Sequence, residues 1–586
     1  MCEGKTYYVA ENGSDTGTGS ISDPFKTIQK ASDVMQPGDT CLVREGVYRE
    51  WIKPPRGGSS DSCRITYKAA PGEKVVIKGS EQITSWVMLK GNVWKVELPD
   101  SFFGGFNPFK TNVEGGWLAF GQEYHLGELY LNGESYCEKM TLKEVSAAPG
   151  TWFTGDCDGT TLICANFGGV DPNTALTEIN VRECIFFPEM KGLKYIAVDG
   201  LTMMHAAANW VCFMAFQYAA VGTYYGRSWI IQNCHITDAK CAGLVCGNDP
   251  SDYNEGFDLE ETGHHIIRNN WIQRCGEAGI HGYKGWAASL IEGNLIEDIN
   301  CKKQFGGNES GGMKLHHAID VTVRNNIVRR VYAGKGGQFA GIWIDWAAQG
   351  TRITGNVVYE LDEWSGWAFF MQNSHCSPVL VDNNIFYGQI YNTSRNCIFA
   401  HNLFIDCRWF FMVENMDPVY WKPHTGKVVE ALPLTHLEND RNFNNIYIKK
   451  GTDQMINAQG YRINWNVHYS GARKCQWGEE DSIVESDFNT GVSFKSLENG
   501  VTIAFNSDDA PFEVKCPFIT HDFIGVYDLT GQGIEDHHGN PITVSTDVLG
   551  NVRGMLHPTA GPFEKLEIGE NLFSLTAGPS KGSSTV

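Results

Sequence analysis

The sequence predicts an all-β fold, a right-handed parallel β-helix into which a β-sandwich is inserted. Short apolar segments that each end near an asparagine recur at intervals of about one coil turn. No amphipathic helices stand between these segments, which argues against the usual βαβ folds. Between about residues 86 and 190 the repeat stops, and apolar and polar residues alternate with turn residues between them, as in an antiparallel sandwich.

The repeated segments define the predicted rungs of the coil. Their asparagines are Asn233, Asn270, Asn294, Asn326, Asn356, Asn384, Asn402 and Asn445. From Asn270 to Asn384 the successive steps are 24, 32, 30 and 28 residues. Each segment holds a strand of three to five residues with β-branched side chains, and asparagine tolerates the left-handed backbone of a tight corner. Stacked rungs bury their inward side chains, and each asparagine can bond to its copies above and below.

The rest of the chain divides around this ladder. Residues 1–85 are expected to form an N-terminal cap and the first coil turns, with an amphipathic helix, a turn at Pro37-Gly38-Asp39 and a strand within Lys26–Glu50. Residues 86–190 are the inserted sandwich, and residues 191–452 are the coil that carries the site. Residues 453–586 form a C-terminal segment that we expect to pair with the insertion and to end in a mobile polar tail.

Composition narrows the function classes. The net charge of −21 disfavours nucleic acid, an anionic membrane surface or a polyuronate as partner, and the many aromatic residues favour a neutral oligosaccharide. Eighteen cysteines without a secretory signal indicate reduced thiols and a cytoplasmic location. No zinc-ligand spacing occurs, so neither a metal nor another cofactor is expected. A homo-oligomer is compatible with the exposed faces of a coil.

The densest cluster of candidate site residues surrounds Asp345. This acid ends an apolar strand between Trp343 and Trp346, and side-chain alternation places Trp343 and Asp345 on one outward face. His316 precedes Asp345 by 29 residues and Gln372 follows it by 27, so the three are expected on adjacent strands about 4.7–4.9 Å apart. An acid at the end of a short strand also fits a plain corner cap, and the tryptophans also fit a cover for the coil.

The same residues resemble a known family. The runs GGMKLHHAIDVTVRNN, GIWIDWAAQGTRITGN, NSHCSPVLVDNNIF, AHNLF and YWKPHTG are similar to those of the β-xylosidases of glycoside hydrolase family 120. ELYLNGE and EINVRE resemble the inserted sandwich of that family. The resemblance implies a retaining, exo-acting hydrolase that releases xylose from xylo-oligosaccharides. It also implies that Asp345 is the nucleophile, that position 372 holds the acid/base, and that His375 is the histidine of the same motif.

The sequence departs from the family at the acid/base position. The family has glutamate there, whereas this chain has Gln372, and an amide cannot deliver a proton. Three explanations stay open: an engineered Glu→Gln change, another acid such as Glu309 or Glu414, or a protein with another substrate or no hydrolytic role. A polysaccharide lyase and a non-catalytic carbohydrate-binding protein are the alternatives to the hydrolase.

The weaker candidates are predicted to bind substrate. Lys314 and His316 stand beside the predicted nucleophile in GGMKLHH, and Lys422 and His424 would reach it from the later YWKPH segment. Trp117, in the insertion, would wall off a pocket. Such a wall is what turns the open groove of a β-helix into an exo-acting site.

Overall fold

The chain winds as a parallel β-helix with three long sheets. The computed structural model describes residues 4–157, 159–212, 216, 218–247, 256–362, 366–372, 378–412, 419–431, 437–527 and 529–579. Sheets 1 and 2 have 13 strands each and sheet 3 has eight among these residues, and successive strands in each sheet pair in parallel. The prediction of an all-β coil is confirmed.

The strands of sheet 1, in spatial order, are Thr6–Val9, Thr40–Val43, Ile65–Ala69, Ile196–Asp199, Ile230–Gln232, Ile266–Arg268, Leu290–Glu292, Thr322–Arg324, Arg352–Thr354, Val379–Asp382, Cys397–Ala400, Arg441–Phe443 and Arg462–Asn464. Those of sheet 2 are Gly46–Tyr48, Val75–Lys78, Thr202–Met204, His235–Thr237, Trp271–Gln273, Leu295–Ile299, Ile327–Val331, Val357–Tyr359, Ile385–Tyr387, Leu403–Ile405, Ile446–Ile448, Val467–Tyr469 and Ile483–Glu485. Those of sheet 3 are Val221–Gly222, Ala242–Val245, Ala278–Tyr283, Ser310–His316, Phe339–Asp345, Gly366–Met371, Gln389–Asn392 and Trp409–Phe411.

A ladder of buried asparagines joins the rungs between sheets 1 and 2. It consists of Asn270, Asn294, Asn326, Asn356, Asn384, Asn402, Asn445 and Asn466. At each step the backbone N–H and the amide Nδ2 of one asparagine donate to Oδ1 of the next, for example from Asn326 to Asn356 at 3.0 and 2.9 Å. The ladder thereby satisfies polar groups that the coil buries at every corner.

Two details of the predicted ladder are wrong. The first predicted member, Asn233, is not part of it: the backbone N–H that donates to Asn270 belongs to Cys234. The left-handed backbone geometry also belongs to the residue before each ladder asparagine, such as Asn325 with φ 55° and Gly355 with φ 67°. The corner therefore separates two tasks, since one residue turns the chain and the next makes the bonds.

The N-terminal cap forms as expected. A helix over Ile28–Val34 begins at Thr27, whose side chain accepts from the N–H of Lys30, and it buries Ile28 and Ala31 against the first rungs. The other helices among the described residues are α-helices Leu142–Ala147, Ala510–Glu513 and His521–Ile524 and 3₁₀ turns Asp100–Phe103 and Thr452–Gln454. No helix in this part of the chain is long and apolar enough to span a membrane.

The insertion is a sandwich of a four-stranded and a five-stranded sheet. The smaller sheet has, in spatial order, Glu134–Ser135, Leu129–Leu131, Thr177–Asn180 and Ser80–Gln82, and the larger has Cys137–Glu138, Thr151–Cys157, Thr160–Asn166, Val93–Pro99 and Val87–Lys90. The two sheets share a core around Trp152, Leu129 and Ile179. Most pairs are antiparallel, but Cys137–Glu138 runs parallel to Thr151–Cys157.

Among the described residues, no strand of the C-terminal segment pairs with a strand of the insertion, contrary to the prediction. The coil continues past residue 452, to the strand Ile483–Glu485. A three-stranded sheet of Ser493–Leu497, Gly500–Ser507 and Gly569–Thr576 then packs on the outer face of sheet 2, where Ile503 and Phe505 join the cluster of Ile327 and Ile385. The outward side chains of sheet 2 are themselves apolar, so they need a cover, and the C-terminal sheet supplies it.

Candidate active site

The candidate site lies on the outward face of sheet 3. In the register of its strands, Lys314 is paired with Trp343 and His316 with Asp345. On the next strand Met371 is paired with Ile344, and the N–H of Gln372 donates to the Ile344 carbonyl at 3.0 Å. His316, Asp345 and Gln372 therefore follow one another on neighbouring strands, as their spacing of 29 and 27 residues predicts.

Alternation along the strand separates the site from the core. Leu315 and Ile344 point inward and belong to the main hydrophobic core of the coil. Trp343 points outward, where its ring stacks on Phe370 of the next strand at 4.4 Å between centroids. Asp345 shares that outward face, so the strand presents an aromatic surface beside a carboxylate.

The Asp345 carboxylate is surrounded by donors. Lys314 Nζ lies 3.0 Å and His316 Nε2 lies 3.4 Å from Asp345 Oδ2. The N–H of Trp346 donates to the other oxygen, Oδ1, at 2.7 Å. The same two side chains also contact Glu309 Oε2, Lys314 Nζ at 3.0 Å and His316 Nε2 at 3.5 Å. Lys314 and His316 thus bridge two buried carboxylates.

These contacts keep both carboxyl groups ionised. Burial alone would raise the pKa of Asp345, but the charges of His316 and Lys314 outweigh burial and the opposing charge of Glu309, so this pKa lies below its ordinary value. The pKa of Glu309 is likewise held well below its usual range, because Lys314, His281 and His316 overcome the effect of burial. Asp345 is therefore a carboxylate ready to act without a general base.

Lys314 is held rigidly between its partners. Its Nζ donates to the carbonyl of Asn308 at 2.7 Å and lies 3.6 Å from the centre of the Trp343 ring. Behind it, His281 Nε2 lies 3.0 Å from Glu309 Oε2. Burial would lower the pKa of Lys314, but Glu309 and Asp345 raise it above its ordinary value, so the ammonium stays charged.

The group His281, Glu309 and His316 has ligand atoms close enough together to hold a metal ion. The position is a poor one for a second cation, however. Lys314 Nζ already lies 3.0 Å from Glu309 Oε2, the carboxylate oxygen nearest both histidines. The ammonium of Lys314 supplies the positive charge that an ion would bring.

The insertion reaches this cluster through its main chain. Its strand Leu118–Phe120 pairs with Gly306–Gly307, and the carbonyl of Trp117 accepts from the N–H of Asn308 at 3.1 Å. Trp117 has a left-handed backbone, with φ 63°, and its side chain is 52% exposed. The insertion therefore positions the loop that carries Asn308 and Glu309, and the role of the Trp117 ring as a wall of the site stays a prediction.

A hairpin of Val419–Trp421 and Val428–Ala431 covers the end of the strand that carries Asp345. Trp421 packs in one cluster with Trp346, and its N–H and carbonyl bond the side chain of Gln349, each at 2.8 Å. Trp346 thus packs against the hairpin through its side chain and bonds Asp345 through its backbone N–H. Lys422, predicted to bind substrate, is an exposed residue of this hairpin.

His424, which is predicted to bind substrate, has its ring between two carboxylates. Its Nδ1 lies 3.1 Å from Asp320 Oδ1, and its Nε2 lies 2.9 Å from Glu535 Oε2. One ring nitrogen therefore joins the hairpin to the coil and the other joins it to the C-terminal segment. These ion pairs raise the pKa of His424 to about 9, although partial burial opposes the shift.

Two predicted site residues, His375 and Glu414, lie outside the described residues. Glu309 is close to Asp345, but a carboxylate with a strongly lowered pKa suits the orientation of Lys314 better than proton donation. Sequence reasoning missed His281, Asn308 and Trp421. His281 could have been predicted from the spacing of the rungs, because it is paired with Lys314 on the preceding strand of sheet 3.

Two family models match parts of this chain, and a solved structure resembles it over nearly its whole length. The family model "Glycoside hydrolase 120, insertion domain" matches residues 83–150, and "Right handed beta helix region" matches residues 219–404. A solved structure of XylC in complex with xylose is 32% identical, with a TM-score of 0.87, and the match covers 97% of this chain and 100% of that one.

A curated relative, the uncharacterized protein YwoF of Bacillus subtilis (strain 168), is 38% identical over 76 residues. That match covers 13% of this chain and 16% of YwoF. The full-length likeness to XylC, the matched insertion domain and the coil with its outward carboxylate lead to one conclusion. The chain belongs to glycoside hydrolase family 120.

Proposed function

We propose that this protein is a retaining, exo-acting β-xylosidase that takes neutral xylo-oligosaccharides. The observation that carries the proposal is the ionised Asp345, held by Lys314 and His316 one strand away from Gln372. Neighbouring strands lie about 4.8 Å apart, which is close to the roughly 5–5.5 Å between the two carboxyl groups of retaining glycosidases. The likeness to a structure that contains xylose supports a pentose as the sugar.

In this mechanism Asp345 attacks the anomeric carbon. A bond forms between a carboxylate oxygen and that carbon while the bond to the departing oxygen breaks, which leaves a covalent xylosyl ester. Lys314 and His316 keep the nucleophile charged, and the buried Nε1 of Trp343, which has no hydrogen-bond partner among the described residues, can donate to a sugar hydroxyl. The departing oxygen requires a proton, and water later requires a base.

Gln372 stands where that acid/base is expected. An amide can donate a hydrogen bond but cannot release a proton, so about 10²–10⁴-fold of the rate is lost for poor leaving groups. Attack on a substrate with a good leaving group needs no such proton. We therefore propose that this chain forms the covalent intermediate from activated xylosides but turns over natural substrates slowly.

The test is a paired assay of this chain and its Gln372→Glu variant with xylobiose and with an aryl xyloside that has a good leaving group. The variant should cleave xylobiose about 10²–10⁴-fold faster. Azide, a nucleophile that needs no base, should rescue turnover of the aryl xyloside by the original chain and give a β-xylosyl azide. An α-configured azide would contradict retention, and fast xylobiose cleavage by the original chain would place the acid elsewhere.

The second candidate is a non-catalytic carbohydrate-binding protein, which Gln372 itself favours. Intact-protein mass spectrometry after mixing with the activated aryl xyloside separates the two. A hydrolase with an amide at the acid/base position accumulates the xylosyl adduct on Asp345, whereas a binding protein shows no adduct. The Asp345→Asn variant is the matched control, since it removes the nucleophile at nearly constant volume.

A further inference from the structure

A fully buried histidine, His281, lies behind the carboxylates of the candidate active site. It is paired with Lys314 on the preceding strand of sheet 3, and its Nε2 lies 3.0 Å from Glu309 Oε2. Burial lowers the pKa of His281 to about 4, although the contact with Glu309 opposes the shift. The ring is therefore neutral at neutral pH and meets Glu309 as a hydrogen-bonding group, not as a cation.

The contact with Glu309 fixes which ring nitrogen of His281 carries the proton. Glu309 is ionised, because its pKa is held well below the usual range, and an ionised carboxylate can only accept hydrogen bonds. Nε2 of His281 therefore carries the hydrogen and donates it to Glu309 Oε2. In the neutral ring Nδ1 then has no hydrogen, and this buried atom has no hydrogen-bond partner among the described residues. The single N–H of the ring is thus committed to Glu309.

Glu309 in turn helps to fix Lys314. The ammonium of Lys314 has three N–H groups and three acceptors, namely the Asn308 carbonyl at 2.7 Å, Glu309 Oε2 at 3.0 Å and Asp345 Oδ2 at 3.0 Å. A displacement of the Glu309 carboxylate would change how much of this positive charge Asp345 receives. The contacts thus run in one chain from His281 through Glu309 and Lys314 to the proposed nucleophile.

We propose that His281 is a positioning residue for the hydrolysis. Its N–H holds Glu309, and thereby Lys314, in the place from which the ammonium keeps Asp345 ionised. This inference rests on the proposed function, because it takes Asp345 as the nucleophile.

His316 and Glu277 also lie near this chain of contacts. His316 Nε2 is 3.5 Å from Glu309 Oε2 and 3.4 Å from Asp345 Oδ2, so it contacts both carboxylates. Glu277 stays protonated, because burial and the charge of Glu309 raise its pKa well above the ordinary value. Both groups are retained when His281 is replaced, so a shift in the pH profile reports the loss of its N–H.

The variants His281→Leu and His281→Gln test the proposal. Leucine removes the donor, whereas the glutamine amide places an N–H close to the position of Nε2. In His281→Leu, Glu309 should draw the shared ammonium away from Asp345. The acid limb of the pH profile for xylosyl-enzyme formation from an activated aryl xyloside should then move to higher pH, and the rate at pH 5 should fall about tenfold to a hundredfold. His281→Gln should restore most of the rate. His235→Leu, the same change on a strand of sheet 2, is the control and should leave the limb in place.

Glu309→Gln shows whether His281 acts through Glu309. Loss of this negative charge leaves the ammonium to Asp345 alone, so the limb should move in the opposite direction, to lower pH. In the Glu309→Gln background His281→Leu should shift the limb no further, since both changes interrupt the same chain of contacts.

The results separate two kinds of failure. If the original chain forms no xylosyl adduct, the proposed function is wrong and this inference falls with it. If the adduct forms, the inference alone is overturned by an unmoved limb in folded His281→Leu protein, by a His281→Gln variant as slow as His281→Leu, or by an equal shift in the Glu309→Gln background. A rate that is lost on EDTA treatment and restored by Zn²⁺ would assign His281 to a metal site and would also overturn it.

Discussion

Replacing Lys314 by methionine tests the assigned electrostatics of the site. Methionine has a similar length and no charge, so the change removes the ammonium from between Asp345 and Glu309. Lys314 Nζ lies 3.0 Å from an oxygen of each carboxylate. At an effective dielectric constant near 20, one such contact is on the order of 5 kcal/mol before the cost of desolvation is subtracted.

Without this ammonium the two carboxylates face each other in a buried site. Although burial raises it, the pKa of Asp345 is held below its ordinary value by His316 and Lys314, and the loss of the Lys314 charge should raise this pKa. A carboxyl group whose pKa is lowered by folding also stabilises the folded protein when the pH is above the ordinary pKa of that group. This stabilisation is lost as the pH falls through the pKa of the folded state. The Lys314→Met variant should therefore lose about 3–5 kcal/mol of stability near neutral pH.

The assay is the rate of xylosyl-enzyme formation from an activated aryl xyloside as a function of pH. This step needs no acid, so its acid limb reports the ionisation of Asp345 alone. The limb should move to higher pH in Lys314→Met, which makes the loss of rate larger at pH 5 than at pH 7. Lys422→Met, the same change at an exposed hairpin position, is the control. An unshifted acid limb in folded Lys314→Met protein would refute the electrostatic role.

Other consequences concern the scaffold, and each is measured by denaturant unfolding against pH. His424 has a pKa raised from 6.5 to about 9, so its ion pairs with Asp320 and Glu535 stabilise the folded protein fully below pH 6.5, and this contribution fades towards pH 9. His424→Gln should therefore lower the free energy of unfolding by about 1–3 kcal/mol at pH 6 and by little above pH 9.5. Burial raises the pKa of Asp440 from 3.8 to about 7, so stability falls as pH rises between these values. Asp440→Asn should abolish that slope, so the stability of the variant relative to the original chain should be a few kcal/mol higher at pH 8 than at pH 5. Asn326→Leu interrupts the asparagine ladder and should cost about 3 kcal/mol or more, because the backbone N–H and Nδ2 of Asn294 and the carbonyl of Ile291 lose buried partners at once.

Each of these expectations has a contradicting outcome. A loss at His424→Gln that is equal at pH 6 and pH 9.5 would mean that packing, and not charge, holds the hairpin. A slope that persists in Asp440→Asn would assign the titration to another group. An Asn326→Leu variant as stable as the original chain would show that the ladder bonds replace water bonds without net gain.

Much of the fold followed from local periodicity. Each rung repeats a strand and a corner at an interval of one coil turn, so the spacing of the asparagines already implies stacked parallel strands. The same periodicity placed His316 beside Asp345, because an interval of one turn in the sequence becomes one strand spacing in the coil. Family resemblance then assigned roles to Asp345 and position 372 that spacing alone could not assign.

Contacts between segments that do not belong to the same sequence repeat could not be predicted from the sequence and are seen only in the tertiary structure. Lys314 bridges Asp345 and Glu309 because the insertion pins the loop at Asn308, and no repeat relates these segments. The C-terminal sheet covers sheet 2, and His424 joins the hairpin to that segment, because apolar surface and charge become complementary only after the coil has formed. The sequence by itself thus determined the coil and the alignment of His316, Asp345 and Gln372 on neighbouring strands of sheet 3. Both follow from the number of residues in one turn of the coil. The charge state of Asp345 depended on the three-dimensional packing, because pKa values respond to burial and to charges that come close only in the folded chain.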